Sequence, residues 1–275
     1  MYFKNILTAL AVLATLILPF SCDKDDDGEF GPNDKGSIIL EFDNVVGSQN
    51  LQLNGPQTYT NANGDQFNVT LLNYYISNIK LKKSDGTVYT VPQDSSYFLV
   101  QESDAASREI ELNNIPAGDY TEVTFMVGVD SLRNTLDLSK RTGILDPAAH
   151  SGDDNMYWSW NSGYIFFKME GLSPQATVDA AGNKKFRYHI GGFGGMNSKT
   201  INNIKTVTRT FGDDKATVRS SITPQVHIIV DILKAFEGSA KVSIGANTTV
   251  MFAPYSVNIA NNYVEMFTVH HVHND

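Results

Sequence analysis

Histidine and tryptophan are the residues of this 275-residue chain whose spacing suits metal chemistry. His189 lies in the segment FRYHIG at residues 186–191, where strand alternation places it on the face opposite the apolar side chains. His271 and His273 are separated by one residue, so in an extended segment their imidazoles point to the same side and form a chelating pair for copper, zinc or nickel. The alternative is that these histidines near residue 275 are only solvated.

Two further histidines have less distinctive surroundings. His150 lies in a polar loop, where exposure is the default, and it remains a candidate ligand. His227 lies within the apolar run of residues 226–233, which predicts a core histidine rather than a ligand. The candidate metal ligands are therefore His189, His150, His271 and His273.

Both tryptophans, Trp158 and Trp160, lie in the aromatic segment MYWSWNSGYIFFKMEG at residues 156–171. In a strand the two indole rings alternate onto one face, which is also how a β-sandwich fills its core. An intact indole only donates a hydrogen bond, whereas an oxidised indole that carries a carbonyl and an aryl amine is a better metal ligand. The segment is therefore either a core hairpin with a turn at residues 161–163 or one wall of a metal site.

The composition excludes several functional classes. The formal net charge is −9, and so acidic a chain lacks the excess of basic residues that nucleic-acid binding needs. Cys22 is the only cysteine, which excludes thiolate-ligated zinc ribbons, iron–sulfur clusters and blue-copper centres. The motifs of serine hydrolases, P-loop nucleotidases and zinc proteases are missing from the sequence. We therefore expect a protein that is not an enzyme, with carboxylate-based catalysis as the least favoured hypothesis.

Residues 1–21 are typical of a secretory leader, because a basic start at Lys4 is followed by an apolar run too short to span a bilayer comfortably. Cys22 directly follows this run and is predicted to be the lipidated first residue of a lipoprotein. The acidic stretch of residues 22–36 predicts a flexible, solvated tether. Residues 37–275 remain as a single domain, long enough to bury a core without disulfides. The alternative is an ordinary signal peptide with an incidental cysteine.

Beyond residue 36 the sequence predicts an all-β fold, an antiparallel β-sandwich with a few short helices. Segments rich in β-branched and aromatic residues alternate with Asn-Gly, Asp-Gly and Gly-Asp-Asp turn signals. Short helices are predicted after Asp130, with Ser131 as the N-cap, and around residues 259–269. The predicted strands are residues 37–42, 66–83, 87–91, 109–112, 120–129, 185–190, 204–211 and 226–233.

Four motifs resemble the MbnP-like family of copper-binding proteins, which is named for a partner of methanobactin operons. They are MYWSWNSGYIF at residues 156–166, FRYHIG at 186–191, LNYYISN at 72–78 and GVDSLRN at 128–134. The resemblance covers nearly the whole chain beyond the tether and implies a secreted or surface-held copper binder. In the methanotroph members, copper is held by histidines and by a tryptophan oxidised to kynurenine, an oxidation performed by a dihaem peroxidase-like partner.

Carried over residue by residue, the resemblance makes His189 the first candidate ligand and one of the two tryptophans the oxidisable residue. No histidine flanks the tryptophans closely, so the second ligand stays open between His150 and a folded-back His271 and His273. The Lys/Asp run after Cys22 resembles the signal that exports Bacteroidetes lipoproteins to the outer face of the outer membrane. We therefore expect a lipid-anchored, surface-exposed protein that acquires, stores or hands over copper beside a TonB-dependent transporter. The alternative is a non-catalytic lipoprotein that binds another ligand or a protein partner of such an uptake system.

Overall fold

The computed structural model describes residue 31, residues 33–148, residue 152, residues 155–159 and residues 161–275. Three residues singled out in the sequence, Cys22, His150 and Trp160, lie outside this part of the chain, as do the predicted leader and most of the predicted tether. Within the described residues, no helix combines the length and the apolar character needed to cross a membrane.

The described chain folds mainly into β-strands that are joined by turns and short helices. The strands are β1 (Lys35–Val46), β2 (Gln49–Asn50), β3 (Tyr59–Thr60), β4 (Gln66–Phe67), β5 (Leu71–Lys83), β6 (Val88–Thr90), β7 (Tyr97–Gln101), β8 (Glu109–Pro116), β9 (Gly118–Val127), β10 (Tyr157–Ser159), β11 (Gly163–Leu172), β12 (Lys185–Gly191), β13 (Lys205–Thr210), β14 (Ala216–Val218), β15 (Gln225–Asp231), β16 (Thr249–Val250) and β17 (Phe267–His273). The helices are α1 (Ser131–Thr135), α2 (Ser256–Asn262) and 3₁₀ turns at Gln93–Ser95, Ala105–Arg108, Leu138–Lys140, Gly143–Leu145, Ile232–Ala235 and Tyr263–Met266.

Two main sheets face each other across one hydrophobic core. The smaller sheet has the order β17-β15-β1-β2, with β8 also paired to β1. The larger sheet has the order β13-β9-β5-β11-β12-β16, with β6 and β7 on β5, β10 on β11 and β14 on β9. Phe42 of β1 packs edge-on against Phe125 of β9, with ring centroids 5.7 Å apart, and so joins the two sheets. The all-β prediction is confirmed.

The pairing is not purely antiparallel, which corrects the prediction. β1 and β15 run parallel, in a register that joins Ile39 to Gln225 and Val45 to Asp231. β12 and β16 also run parallel. Parallel neighbours need a crossover connection, and the connection from β1 to β15 takes in every strand of the larger sheet except β16. The smaller sheet is therefore built from strands that lie far apart in the sequence.

β11 is buried along almost its whole length because both of its faces are covered. Phe167 and Met169 belong to the main core between the sheets. Tyr164 and Phe166 belong to a second hydrophobic cluster on the outer side of the larger sheet. A strand that is covered on both faces has a continuous apolar sequence, so the aromatic run of this segment serves two cores at once.

Two strand boundaries differ from the sequence prediction. The predicted strand over residues 66–83 is interrupted around Asn68, whose Oδ1 accepts a hydrogen bond from the Leu172 amide at 2.9 Å. The first strand begins at Lys35, earlier than the predicted Ser37. The interruption shifts the alternation, because the core positions are Phe67 and Val69 before it and Leu72 and Tyr74 after it.

The helix predictions are partly wrong. Asp130, not Ser131, caps α1, because its Oδ1 accepts a hydrogen bond from the Arg133 amide at 2.9 Å. The second predicted helix begins earlier than expected, at Ser256, and the chain becomes extended again at Phe267. The histidines that follow therefore lie on a strand, β17.

Candidate functional site

The hairpin of β10 and β11 carries the tryptophan motif and is fixed by a buried asparagine. Gly163 begins β11 with a φ of 76°, and a Cβ at this position would lie 2.1 Å from Oδ1 of Asn134, so only glycine fits. The same Oδ1 accepts a hydrogen bond from the Tyr164 amide at 3.1 Å. The side-chain amide of Asn134 donates to the Val129 carbonyl at 2.7 Å. One residue of the GVDSLRN motif thus holds the tryptophan hairpin in place.

Arg141 also positions this hairpin, and the sequence analysis did not single it out. It is buried, and its guanidinium donates to the carbonyls of Asn134 at 2.7 Å and Leu136 at 2.8 Å. It also donates to the Tyr157 hydroxyl at 3.1 Å and lies over that ring, 5.5 Å from its centroid. Tyr157 is thereby fixed, and its neighbour Trp158 is held beside β12.

Trp158 is half-buried at the margin of the second hydrophobic cluster. Its ring packs edge-on against Phe252, with centroids 6.1 Å apart. Its six-membered ring lies on Gly191 of β12, where an added Cβ would come within 2.8 Å of Trp158 Cζ3. The indole therefore occupies the space that a side chain at position 191 would need.

His189 and Trp158 share the outer face of the larger sheet. Side chains alternate along β12, and Tyr188 and Ile190 point into the main core. His189 and Gly191 consequently point the other way, and Trp158 covers Gly191 on that side. The structure thus places the first candidate ligand and one of the two candidate oxidisable residues on the same face of the larger sheet.

Glu170, on the neighbouring β11, is the acidic partner of His189. Its Oε1 lies 2.6 Å from His189 Nε2, and its other oxygen pairs with the Lys185 ammonium. Burial alone would raise the pKa of Glu170, but the hydrogen bonds from His189 and Lys185 outweigh it and lower that pKa to about 2. The carboxylate is therefore ionised and only accepts, so Nε2 of His189 carries the proton and the lone pair of a neutral imidazole is on Nδ1. Carboxylates orient metal-binding histidines in this way.

We call the set of Trp158, Glu170, His189 and Gly191 the indole–histidine face. Its fit to copper is partial, because His189 is the only histidine that the described residues contribute to it. Lys168, directly opposite His189 on β11, is buried and donates to the Asn155 carbonyl at 3.2 Å. A second ligand from His150 or Trp160 stays a prediction, since both lie outside the described residues.

The predicted chelating pair is brought together, but on the smaller sheet. Nε2 of His271 and Nε2 of His273 lie 2.7 Å apart. His227 lies opposite His271 in the ladder, and the prediction that it is a core histidine is wrong, because its neighbours on either side take the core positions. The alternative in which His271 and His273 fold back onto the tryptophan site does not fit this arrangement, because β17 belongs to the smaller sheet and His189 to the larger one.

Comparison with known proteins agrees with this fold. The MbnP family model matches residues 35–257. Among solved structures, MbnP from Methylosinus trichosporium is similar, with a TM-score of 0.56 and 16% sequence identity over 87% of this chain and 99% of that chain. At that identity the similarity shows a shared fold. None of the curated proteins matches this chain. Because the family model extends from the first strand into α2, the chain belongs to the MbnP family.

Proposed function

We propose that this protein binds copper at the indole–histidine face. The observation that carries the proposal is the hydrogen bond between His189 and Glu170, 2.6 Å long. It fixes the ring so that Nδ1 carries the lone pair, and no hydrogen bond to that nitrogen is present among the described residues. Imidazole nitrogen is a suitable ligand for copper. The MbnP family is associated with methanobactin and copper, which supports the choice of metal.

An oxidised tryptophan completes the proposed site. Trp158 of β10 covers Gly191, which lies two residues along β12 from His189, and the indole is half-buried, so it is both held in place and accessible to an oxidising partner. Trp160 remains the other candidate. Oxidation to kynurenine supplies a carbonyl and an aryl amine, which are better ligands than the donor-only indole N–H. We propose a dihaem peroxidase-like protein as the partner that performs this oxidation.

The proposed cellular setting rests on the order of the leader, Cys22 and the acidic tether in the sequence. We propose that Cys22 carries a lipid that anchors the protein in the outer membrane, with the domain exposed at the cell surface. A TonB-dependent transporter is the proposed recipient of the copper. In this scheme the protein acquires, stores or hands over copper and performs no catalysis of its own.

Copper analysis of the protein, expressed with its genomic neighbours in copper-replete cells, tests the proposal. The background should be the variant His270→Ala/His271→Ala/His273→Ala, which removes the imidazoles of the other sheet without touching the indole–histidine face. In that background we expect bound copper that is lost in His189→Asn and reduced in Glu170→Gln. Intact-mass analysis should show a gain of about 4 Da, from one oxygen gained and one carbon lost, if a tryptophan becomes kynurenine.

Two results would contradict the proposal. Copper-free protein from copper-replete cells would favour the alternative of another ligand or a protein partner. Copper content that is unchanged by His189→Asn would exclude the indole–histidine face as the site.

A further inference from the structure

Four histidines crowd together on the outer side of the smaller sheet. They are His227 of β15 and His270, His271 and His273 of β17, and we name them the histidine cluster. The rings of His227 and His271 have centroids 4.8 Å apart, and those of His271 and His273 4.4 Å apart. One ring nitrogen from each of His227, His270 and His271 lies within 4.8 Å of the other two. Three imidazoles from two strands thus converge on one point.

A β-bulge brings the additional histidine of β17 to this side. The ladder pairs His227 with His271. The next pair along is Ile228 with Val269, which leaves His270 as the extra residue of the bulge. Regular alternation would place His270 and His271 on opposite faces, but their Nδ1 atoms lie 2.7 Å apart. The bulge therefore adds the imidazole of His270 to those of His271 and His273, which alternation alone places on one side.

His227 presents a ring nitrogen that lacks a partner. Its Nε2 lies 3.3 Å from Oδ2 of Asp43, which as a carboxylate accepts, so Nε2 carries the proton and Nδ1 the lone pair. Nδ1 is buried and makes no hydrogen bond within the described part of the chain. A buried, unsatisfied nitrogen of this kind costs free energy unless a ligand satisfies it.

The surrounding sheet face is acidic and attracts cations. Outward-facing carboxylates lie on β1, which pairs with β15, and on β8, which pairs with β1. They are Glu41 and Asp43 of β1 and Glu109 and Glu111 of β8. A local excess of negative charge raises the concentration of cations near the imidazoles.

The end of β17 is tied to the rest of the fold, which limits the motion of the imidazoles. The Val272 amide donates to Oδ2 of Asp214 at 3.3 Å. The Thr217 amide donates to Oδ1 of Asn274 at 2.8 Å. These bonds flank His273, so its ring is presented from an anchored end of the strand.

We propose that the histidine cluster is a second metal site that binds a divalent transition metal of the imidazole-preferring class, namely Cu(II), Ni(II) or Zn(II). An ion about 2.0–2.1 Å from each nitrogen needs nitrogens about 3.3 Å apart in tetrahedral geometry, so metal binding requires the rings to rotate from positions in which these nitrogens lie within 4.8 Å of one another. β17 lies beyond the residues matched by the family model. The main core separates this site from the indole–histidine face, so the two sites are independent.

Competition titrations of the purified full-length protein with Zn(II), Ni(II) and Cu(II) against chromophoric chelators test the second site. We expect His270→Ala/His271→Ala/His273→Ala to weaken Zn(II) binding more than about 100-fold, because even outer partners of metal ligands change affinity about 10- to 100-fold. Asp43→Asn should weaken it by about 10-fold for that reason. Glu122→Gln, a carboxylate-to-amide control on the larger sheet, should leave Zn(II) affinity unchanged.

A readout on the unaltered protein avoids any dependence on the folding of variants. The Cu(II) electron paramagnetic resonance spectrum of the wild type should show hyperfine splitting from several imidazole nitrogens. Retention of Zn(II) affinity in the triple variant, or an equal loss of it in Glu122→Gln, would overturn the proposal. So would a wild-type protein that binds none of the three metals saturably, since the imidazoles would then form only a hydrogen-bonded network.

Discussion

Replacement of Glu170 by glutamine should reduce stability in a way that depends on pH. The ordinary pKa of a glutamate, 4.5, is lowered to about 2 at this position by His189 and Lys185, against the opposing effect of burial. Each unit of pKa is about 1.36 kcal/mol, so the ionised carboxylate stabilises the folded state by about 3 kcal/mol at neutral pH. The Glu170 side chain is only 6% exposed, so solvent screens this contribution weakly.

The pH range follows from the direction of the pKa change. Below pH 4.5 the unfolded chain binds a proton at Glu170 before the folded chain does, so the stabilisation falls as pH drops towards 2. We expect urea denaturation to give a difference between wild type and Glu170→Gln of about 3 kcal/mol at pH 7 and about 1 kcal/mol at pH 3.

Glu122→Gln is the matched control, because Glu122 also faces a lysine across a ladder, but Lys82 is 4.0 Å away and 44% exposed. It should cost less than about 1 kcal/mol at either pH. An equal loss for Glu170→Gln at pH 7 and pH 3 would refute the assignment of its low pKa to these contacts.

Two further substitutions test how the tryptophan hairpin is held. Gly163→Ala should cost roughly 3 kcal/mol or more in urea denaturation, because it combines a φ of 76° with a Cβ placed 2.1 Å from Asn134. Gly64→Ala has a similar φ of 79° and open space, so it isolates the backbone cost, and an equal loss in both would refute the steric argument. Arg141→Met should cost about 3 kcal/mol by leaving buried carbonyls unsatisfied. Lys140→Met is its exposed control, and similar losses for the two would show that the buried hydrogen bonds contribute little.

The strand content and the character of the core could be predicted from the sequence because they depend on local patterns. Alternation of apolar and polar residues placed His189 on the outward face of its strand, and the structure agrees. The family resemblance was likewise carried by contiguous motifs. What could not be predicted was which distant residues meet. The contact between Glu170 and His189 depends on the register of β11 and β12, which no local pattern encodes.

Small irregularities account for most of the remaining differences. The bulge at His270 shifts the alternation of β17, and its sequence carries no glycine or other local marker of such a shift. The role of Arg141 could not be predicted, because nothing in the sequence distinguishes a buried arginine from an exposed one. The apolar neighbours of His227 predict a core position for it. Alternation along β15 instead places those neighbours in the core and His227 on the outer face.

The parallel pairing of β1 with β15 has a consequence for the order of folding. His227 meets Asp43 across a sequence separation of 184 residues. Contacts of such long range form slowly, because the loop between them must close before they contribute any free energy. The smaller sheet can therefore form only after β15 and β17 reach β1, whereas β10 and β11 are close together in the sequence and can pair early. We expect the indole–histidine face to be protected from hydrogen exchange earlier in refolding than the histidine cluster, so that the two proposed metal sites form in sequence rather than together.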